Sequence, residues 1–274
     1  MTHSPQVVPE IGCNGPGSLQ MWGNQVVGES VYQQLGGPAI EAGKTYRLSL
    51  NYRYLANPGL PNHVRFRVQA TQGFPGGYPS LDTSAAVVGV TPNTSSESWS
   101  HYEVTWTAPF ACTHLTLNPE NDLAIDHGSY VSWGQIDDVC LQVVATVSTY
   151  GSSCQGSSLA LTVSAPPQLG NLITFQTSGI PAGTLLGAQL LSFTQLNPGQ
   201  DLGSIGMPGC LRLVDSESTS LFFPVGTNGA SPFQVPNDPA FAGLPMFAQS
   251  LVMTPGANAL GVLSTNGLAL VIGR

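Results

Sequence analysis

Charged residues are scarce in this chain. Lys, Arg, Asp and Glu make up 8% of its 274 residues, and the net charge is −8. A typical soluble protein has about 25% charged residues. Phosphate binding needs clustered basic side chains, so a chain with only seven of them is excluded as a nucleic-acid-binding protein. No apolar run approaches the roughly 18 residues of a membrane span, so the sequence predicts no membrane insertion.

Catalytic motifs are also missing. The sequence contains no GxSxG, HExxH, GxGxxG or P-loop pattern, and its five histidines show no metal spacing. No two carboxylates stand out as the facing pair that a glycosidase needs. We therefore predict that the protein is not an enzyme, and a glycan-degrading enzyme is the lesser alternative.

The five cysteines form no CxxC pair, which excludes a zinc ribbon and a thioredoxin motif. With so little charge and so little helix, the cysteines favour an oxidising compartment, and we expect a secreted or cell-surface protein. The odd number leaves at least one thiol unpaired or paired between chains. The partner of Cys13 stays open.

Helix signals are nearly absent, and short alternating segments take their place. Apolar and polar residues alternate over 46–54, 63–69 and 101–106, which predicts strands with one buried and one solvated face. The 32 glycines and 22 prolines are scattered, as in a protein of many short strands and turns. The fold class is therefore all-β, with β-sandwich domains.

The composition changes near residue 147. All four tryptophans and most of the charged residues precede that point, and Ala, Leu, Gly, Ser and Pro dominate after it. This shift predicts two domains, residues 1–146 and 147–274.

Three segments of the first domain resemble jelly-roll carbohydrate-binding modules. They correspond to the "aGktYrlsf", "W..y...ftap" and "yIDDvsl" strands of that family, in the same order, and are residues 41–50, 97–109 and 135–141. The resemblance covers roughly residues 15–146 and implies a jelly-roll sandwich.

The same resemblance implies a structural calcium ion at Asp137. Calcium takes carboxylate and carbonyl oxygens. Its other ligands in the family commonly come from a first strand with a "NGdFE" pattern, which this sequence lacks. The first domain is therefore expected to lack its opening strand and to leave a vacant sheet edge. The alternative is that Asp137 and Asp138 lie at a strand bulge and accept backbone hydrogen bonds.

The second domain resembles a β-sandwich that recurs at the C-terminal ends of large secreted bacterial proteins. The likeness covers nearly all of residues 149–274, and it implies display, attachment or assembly at the cell surface. The family's "YGsgC" and "GC" cysteines match Cys154 and Cys210, which are expected to form a disulfide. A second predicted pairing joins Cys112 to Cys140.

Four of the seven basic residues alternate along two consecutive strands. If those strands share a sheet, they form a cationic face that would bind an anionic polysaccharide, because guanidinium groups bind carboxylate and sulfate bidentately. The alternative is that these side chains pair with Glu and Asp across strands. The residues are Arg47, Arg53, Arg65 and Arg67.

Aromatic side chains are the other ligand-binding candidates, because sugar rings stack on exposed indole and phenol rings. The alternative for each is burial in the core or ordinary turn structure. Trp106 is expected in the core, and Trp99 is left open between core and surface. The candidates are Trp22, Tyr32, Tyr54, Tyr78 and Trp133.

Two functions remain from the sequence alone. The first is a non-catalytic extracellular module that binds polysaccharide and is carried with a surface display or attachment domain. The second is a structural subunit of an extracellular fibre or coat, whose copies assemble by strand donation into an open array. A clean monomer that binds one class of glycan would favour the first.

Overall fold

A computed structural model describes residues 19–23, 31–34, 40–56, 63–73, 85–120, 132–154 and 156–274. Within these ranges the regular structure is strands, apart from two single-turn 3-10 helices at Gly203–Ile205 and Pro239–Phe241, which confirms the all-β prediction. No helix in the described ranges is long and apolar enough to cross a membrane. The chain divides into two compact units, Met1–Gln142 and Val143–Arg274, a few residues before the expected boundary.

The first unit is built on two antiparallel sheets of four described strands. The strands are β1 (Leu19–Gly23), β2 (Val31–Gln34), β3 (Thr45–Tyr54), β4 (Arg65–Thr71), β5 (Ala86–Val90), β6 (Ser100–Thr107), β7 (His114–Glu120) and β8 (Ser132–Val143). The order of strands is β1-β8-β3-β6 in the first sheet and β2-β7-β4-β5 in the second.

The core of the first unit lies between these sheets. On β3, the residues predicted to face inward are buried: Tyr46, Leu48, Leu50 and Tyr52. The fully buried Phe66 of β4 meets the ring of Tyr52 edge-on, with 6.2 Å between ring centroids. The inward residues of β3 and β4 therefore pack against each other across the sandwich.

This packing corrects the prediction of one cationic face. The prediction required β3 and β4 to share a sheet, but the chain crosses from one sheet to the other between them. Because their apolar faces meet in the core, their polar faces point away from each other. Arg47 and Arg53 therefore lie on one side of the sandwich, and Arg65 and Arg67 lie on the other.

The sheet edge that was expected to be vacant is occupied over part of its length. Strand β1 pairs antiparallel with Ser132–Ile136 of β8, and its Met21 is 1% exposed. Strand β1 lies within the residues that resemble the family, and residues 1–18 lie outside the described residues, so the absence of the family's opening "NGdFE" strand stays a prediction.

The second unit contains a five-stranded sheet, a three-stranded sheet and a hairpin. The strands are β9 (Thr146–Tyr150), β10 (Ala160–Val163), β11 (Leu172–Ser178), β12 (Leu186–Ser192), β13 (Gln195–Asp201), β14 (Leu211–Val214), β15 (Ser218–Phe222), β16 (Asn228–Gln234), β17 (Pro245–Met253) and β18 (Val262–Val271). The sheet orders are β15-β12-β17-β18-β9 and β10-β11-β16, and β13 pairs with β14.

Its core lies between the two sheets, where Phe175 of β11 packs with Ala248 of β17 and Leu268 of β18. The last strand, β18, is held between β17 and β9, so the chain end is part of the sheet.

The cysteines confirm one predicted pairing and contradict the other. Cys154 and Cys210 form a disulfide with an S–S distance of 2.04 Å, buried beside Met207. Cys140 is also disulfide-bonded, but Cys112 is a free, buried thiol, so the pairing of these two is wrong. The backbone of Cys112 forms an isolated bridge to Ile40. Cys13 lies outside the described residues.

Candidate functional site

A row of polar side chains runs along the two central strands of the sheet β2-β7-β4-β5. Apolar residues of β4 and β7 alternate with polar ones, and the apolar set faces the core. Because antiparallel partners lie on the same face, each polar residue of β4 stands opposite a polar residue of β7. The pairs are Arg65–Glu120, Arg67–Asn118, Gln69–Thr116 and Thr71–His114, and we call them the polar ladder.

Five of the eight side chains in the polar ladder are buried, although the outer face of an antiparallel sheet is commonly in water. Three of its side chains carry the most hydrogen-bonding capacity: Gln69 is 3% exposed, Asn118 0% and Glu120 1%. Thr71 and Thr116 are 2% and 0% exposed. Burying such groups costs free energy unless they are hydrogen-bonded, so their partners decide what the face can do.

Two arginines neutralise the buried carboxylate of Glu120. Arg67 donates from Nε to one carboxylate oxygen and from Nη2 to the other at 3.3 Å. Arg65 Nε lies 3.3 Å from the second oxygen. The arginine side chains remain partly exposed, at 22% for Arg65 and 26% for Arg67, although Nε of Arg65 is buried. The cluster of two cations and one anion keeps one net positive charge.

Asn118 lies next to this cluster, and among the described residues only the nitrogen of its side-chain amide has a hydrogen-bond partner. Its Nδ2 donates to Gln69 Oε1 at 3.3 Å, and no described residue donates to its Oδ1. Thr116 Oγ1 donates to the backbone carbonyl of Gln69 at 3.5 Å. A buried amide oxygen without a donor is an unsatisfied acceptor, which is costly unless a partner reaches it.

The other two predicted arginines lie on the outer face of the first sheet. Arg47 donates to Gln142 Oε1 at 3.0 Å, and Arg53 donates to Gln135 Oε1 at 2.7 Å. Their partners are neutral amides of β8, so the expected pairing with Glu or Asp does not hold for them, whereas it holds for Arg65 and Arg67 with Glu120.

Most of the predicted aromatic candidates cannot be placed. The side chains of Trp22 and Tyr32, and all of Tyr78, lie outside the described residues. Trp133 is half-buried with its Nε1 in the interior, and Tyr54 is a core residue at 6% exposure. Trp106 is half-buried and contacts Tyr46, whereas Trp99 is 42% exposed.

The residue predicted to bind calcium lies in an irregular part of β8. Asp137 Oδ1 accepts a hydrogen bond from the backbone N–H of Asp138 at 2.8 Å, and Asp138 has a φ of 50°. The side chain of Asp138 accepts from Asn51 Nδ2. In the described part of the chain, no three His, Cys, Asp or Glu side chains are grouped to hold a metal ion. Calcium stays a prediction.

The sequence reasoning missed the strand that completes the polar ladder. Residues 114–120 read His-Leu-Thr-Leu-Asn-Pro-Glu, so Thr116, Asn118 and Glu120 alternate with Leu115 and Leu117. That alternation was sufficient to place the three polar residues on one face.

Comparisons with known proteins add little to this geometry. No family model matches the chain, and no curated protein matches it. Among solved structures, the chain is similar to the N-terminal CBM22-1–CBM22-2 tandem domain of Paenibacillus barcinonensis Xyn10C. The identity is 12%, the match covers 94% of this chain and 79% of that one, and the TM-score is 0.32, so no inference is drawn from it.

Proposed function

We propose that the protein is a non-catalytic extracellular module that binds polysaccharide at the polar ladder. The observation that carries this proposal is the pair of partly exposed arginines, Arg65 and Arg67, beside the buried amide of Asn118, whose oxygen no described residue uses. An outer sheet face that buries this many polar groups supports a role in recognition, because apolar residues would stabilise it more simply.

The chemistry of the polar ladder suits a chain of sugar rings. Each sugar hydroxyl donates and accepts, and amide, carboxylate and guanidinium groups offer both functions in fixed planes. Arg65 and Arg67 exceed Glu120 by one positive charge, which favours a polysaccharide that carries carboxylate groups. The buried disulfide between Cys154 and Cys210 supports an extracellular location.

Affinity electrophoresis tests the proposal. Native gels containing polygalacturonate, alginate, arabinoxylan or galactomannan are run with the wild-type protein, with Asn118→Ala and with Arg47→Met. We expect at least one polysaccharide to retard the wild type and Arg47→Met, and Asn118→Ala to lose most of that retardation. Arg47 is the matched control because it lies on the opposite sheet and contacts a neutral amide. Equal retardation of all three proteins by polygalacturonate and by alginate would contradict the proposal.

Assembly of copies is the second candidate, and edge strand β15 of the second unit favours it. Three apolar side chains at and beyond its end are exposed: Leu221 at 65%, Phe223 at 75% and Val225 at 83%. Residues 218–222 contain no charged residue of the kind that protects sheet edges from pairing. Such an edge can extend its sheet into that of a second copy.

Light scattering over a concentration series separates the candidates. Assembly predicts a mass that rises with concentration and returns toward that of the monomer in Phe223→Ser. Leu172→Ser is the control, because Leu172 is 64% exposed on β11 in the other sheet of the unit. A constant monomer mass across the series would exclude assembly through β15.

A further inference from the structure

An exposed indole ring is held rigid on the outer face of the first sheet. Trp99 is 42% exposed and directly precedes β6. The guanidinium carbon of Arg53 lies over its ring, 4.6 Å from the centroid. Arg53 is itself fixed by Gln135 Oε1 at 2.7 Å and by the carbonyl oxygen of Glu97 at 3.4 Å. Because Arg53 covers one face of the indole, the exposed area belongs to the opposite face and the edge.

A chain of hydrogen bonds runs across the sheet beside this ring. His101 Nδ1 lies 3.0 Å from Asn51 Oδ1, and Asn51 Nδ2 donates to Asp138 Oδ2 at 2.9 Å. The three residues belong to β6, β3 and β8 and so span three neighbouring strands. His101 follows Trp99 by two residues, which places it about 7 Å farther along the same face. An aromatic platform and a row of hydrogen-bonding groups therefore lie side by side.

The charged side chains named on this face carry both signs. Arg47 and Arg53 are positive, and Glu103 and Asp138 are negative. A face of mixed sign does not select a strongly charged polymer such as nucleic acid or an acidic glycan. Apart from Trp99, the exposed side chains named on this face are polar, whereas the core of a protein interface is depleted in charge.

We propose that the outer face around Trp99 binds a neutral polysaccharide. One sugar ring stacks on the free face of the indole, where its C–H groups meet a rigid π surface. Its hydroxyl groups, or those of the next sugar, hydrogen-bond with His101, Asn51 and Asp138. Because Arg53 holds the ring in place before binding, little conformational entropy is lost when the sugar arrives.

This site is separate from the polar ladder. Trp99 and Asn51 belong to the sheet β1-β8-β3-β6, and the polar ladder belongs to the sheet β2-β7-β4-β5, whose polar face points the other way. The two sites also differ in the charged side chains that they carry, which predicts different ligands. The inference goes beyond the proposed function and does not rest on it.

Affinity electrophoresis with neutral polymers tests this second site. Hydroxyethylcellulose, arabinoxylan and galactomannan are the probes, and Trp99→Ala, Trp99→Phe, Phe193→Ala and Asn118→Ala are compared with the wild type. We expect one probe to bind, Trp99→Ala to weaken that binding about tenfold, and Trp99→Phe to keep most of it. Phe193→Ala is the matched control, an exposed aromatic at 55% in the second unit. Because Trp99 is exposed, its variants should unfold at the wild-type temperature.

The two proposals fail separately in this experiment. Binding of a neutral probe that falls in Asn118→Ala and not in Trp99→Ala would overturn the Trp99 site and leave the polar ladder. Loss in Trp99→Ala alone would support the Trp99 site and would leave the polar ladder to be judged with the carboxylate-bearing polymers. Equal loss in Trp99→Ala and Phe193→Ala, or no retardation of the wild type by any neutral probe, would also overturn the Trp99 site.

Discussion

Strands β3 and β4 are alike in sequence pattern, but their polar faces differ in exposure and in the partners of their arginines. Both alternate apolar residues with arginine and amide-bearing residues, and both bury the apolar set. On β3 the polar residues stay half-exposed, and its arginines contact neutral amides. On β4 the polar row becomes buried toward Gln69 and Thr71, and its arginines share the buried carboxylate of Glu120.

Alternation of apolar and polar residues therefore predicts which face of a strand packs in the core. It does not predict whether the opposite face is exposed to water or buried. The side chains on the two polar faces should therefore contribute different amounts to the free energy of unfolding. Charges in water contribute little to stability, whereas a carboxylate held between two cations at 1% exposure is costly to leave unpaired. Recognition of a ligand by the polar ladder would use the same desolvated groups.

The largest expected loss of stability comes from removing the carboxylate of Glu120 from the polar face of the sheet that contains β4. Glu120→Gln leaves Arg65 and Arg67 without their anion, and we expect it to lower the free energy of unfolding by about 3 kcal/mol. Glu103→Gln, on the exposed row of β6, should change it by no more than about 0.5 kcal/mol. Urea unfolding followed by tryptophan fluorescence measures both, since all four tryptophans precede residue 142. Equal losses of unfolding free energy in the two variants would contradict the expected difference between the faces.

The sequence correctly predicted which side chains of β3 and β4 face inward, because apolar and polar residues alternate in these strands with a period of two. It could not place the strands in sheets, since a crossover between sheets leaves no mark in either strand. For that reason the four arginines were grouped wrongly. The site was half predicted: Arg65 and Arg67 were named, and Glu120 and Asn118 were not, because their importance depends on a register with β4 that only the folded chain reveals.

A smaller contrast is expected between two arginines. Arg67→Met removes two charged hydrogen bonds to Glu120 while Arg65 remains, which should cost about 2 kcal/mol. Arg47→Met removes one hydrogen bond to Gln142 from a half-exposed position and should cost less than about 1 kcal/mol. The same urea titrations provide the measurement. A larger loss for Arg47→Met would mean that the outer face of β3 contributes more than its exposure indicates.

The smallest effect concerns the inner face, where β3 and β4 are alike. Burial raises the pKa of Tyr52 above its usual value of 10, while a hydrogen bond with Thr91 lowers it in part. The unfolded chain therefore loses this proton first, and stability must fall as the pH rises through about 10. Tyr52→Phe lacks this contribution, so its deficit relative to the wild type should shrink between pH 9 and pH 11. If the difference in urea midpoint between Tyr52→Phe and the wild type stays constant from pH 9 to pH 11, the expected raised pKa of Tyr52 is contradicted.

The side-chain amides of the two faces give the most direct test of where polysaccharide binds. A ¹H–¹⁵N spectrum is recorded while oligosaccharides are added from the polysaccharide that retards the protein most. We predict that the amide signals of Asn118 and Gln69 shift in proportion to occupancy, while that of Gln142, the partner of Arg47, stays in place. Saturable binding that leaves the Asn118 signal unmoved would contradict the assignment of function to the polar ladder.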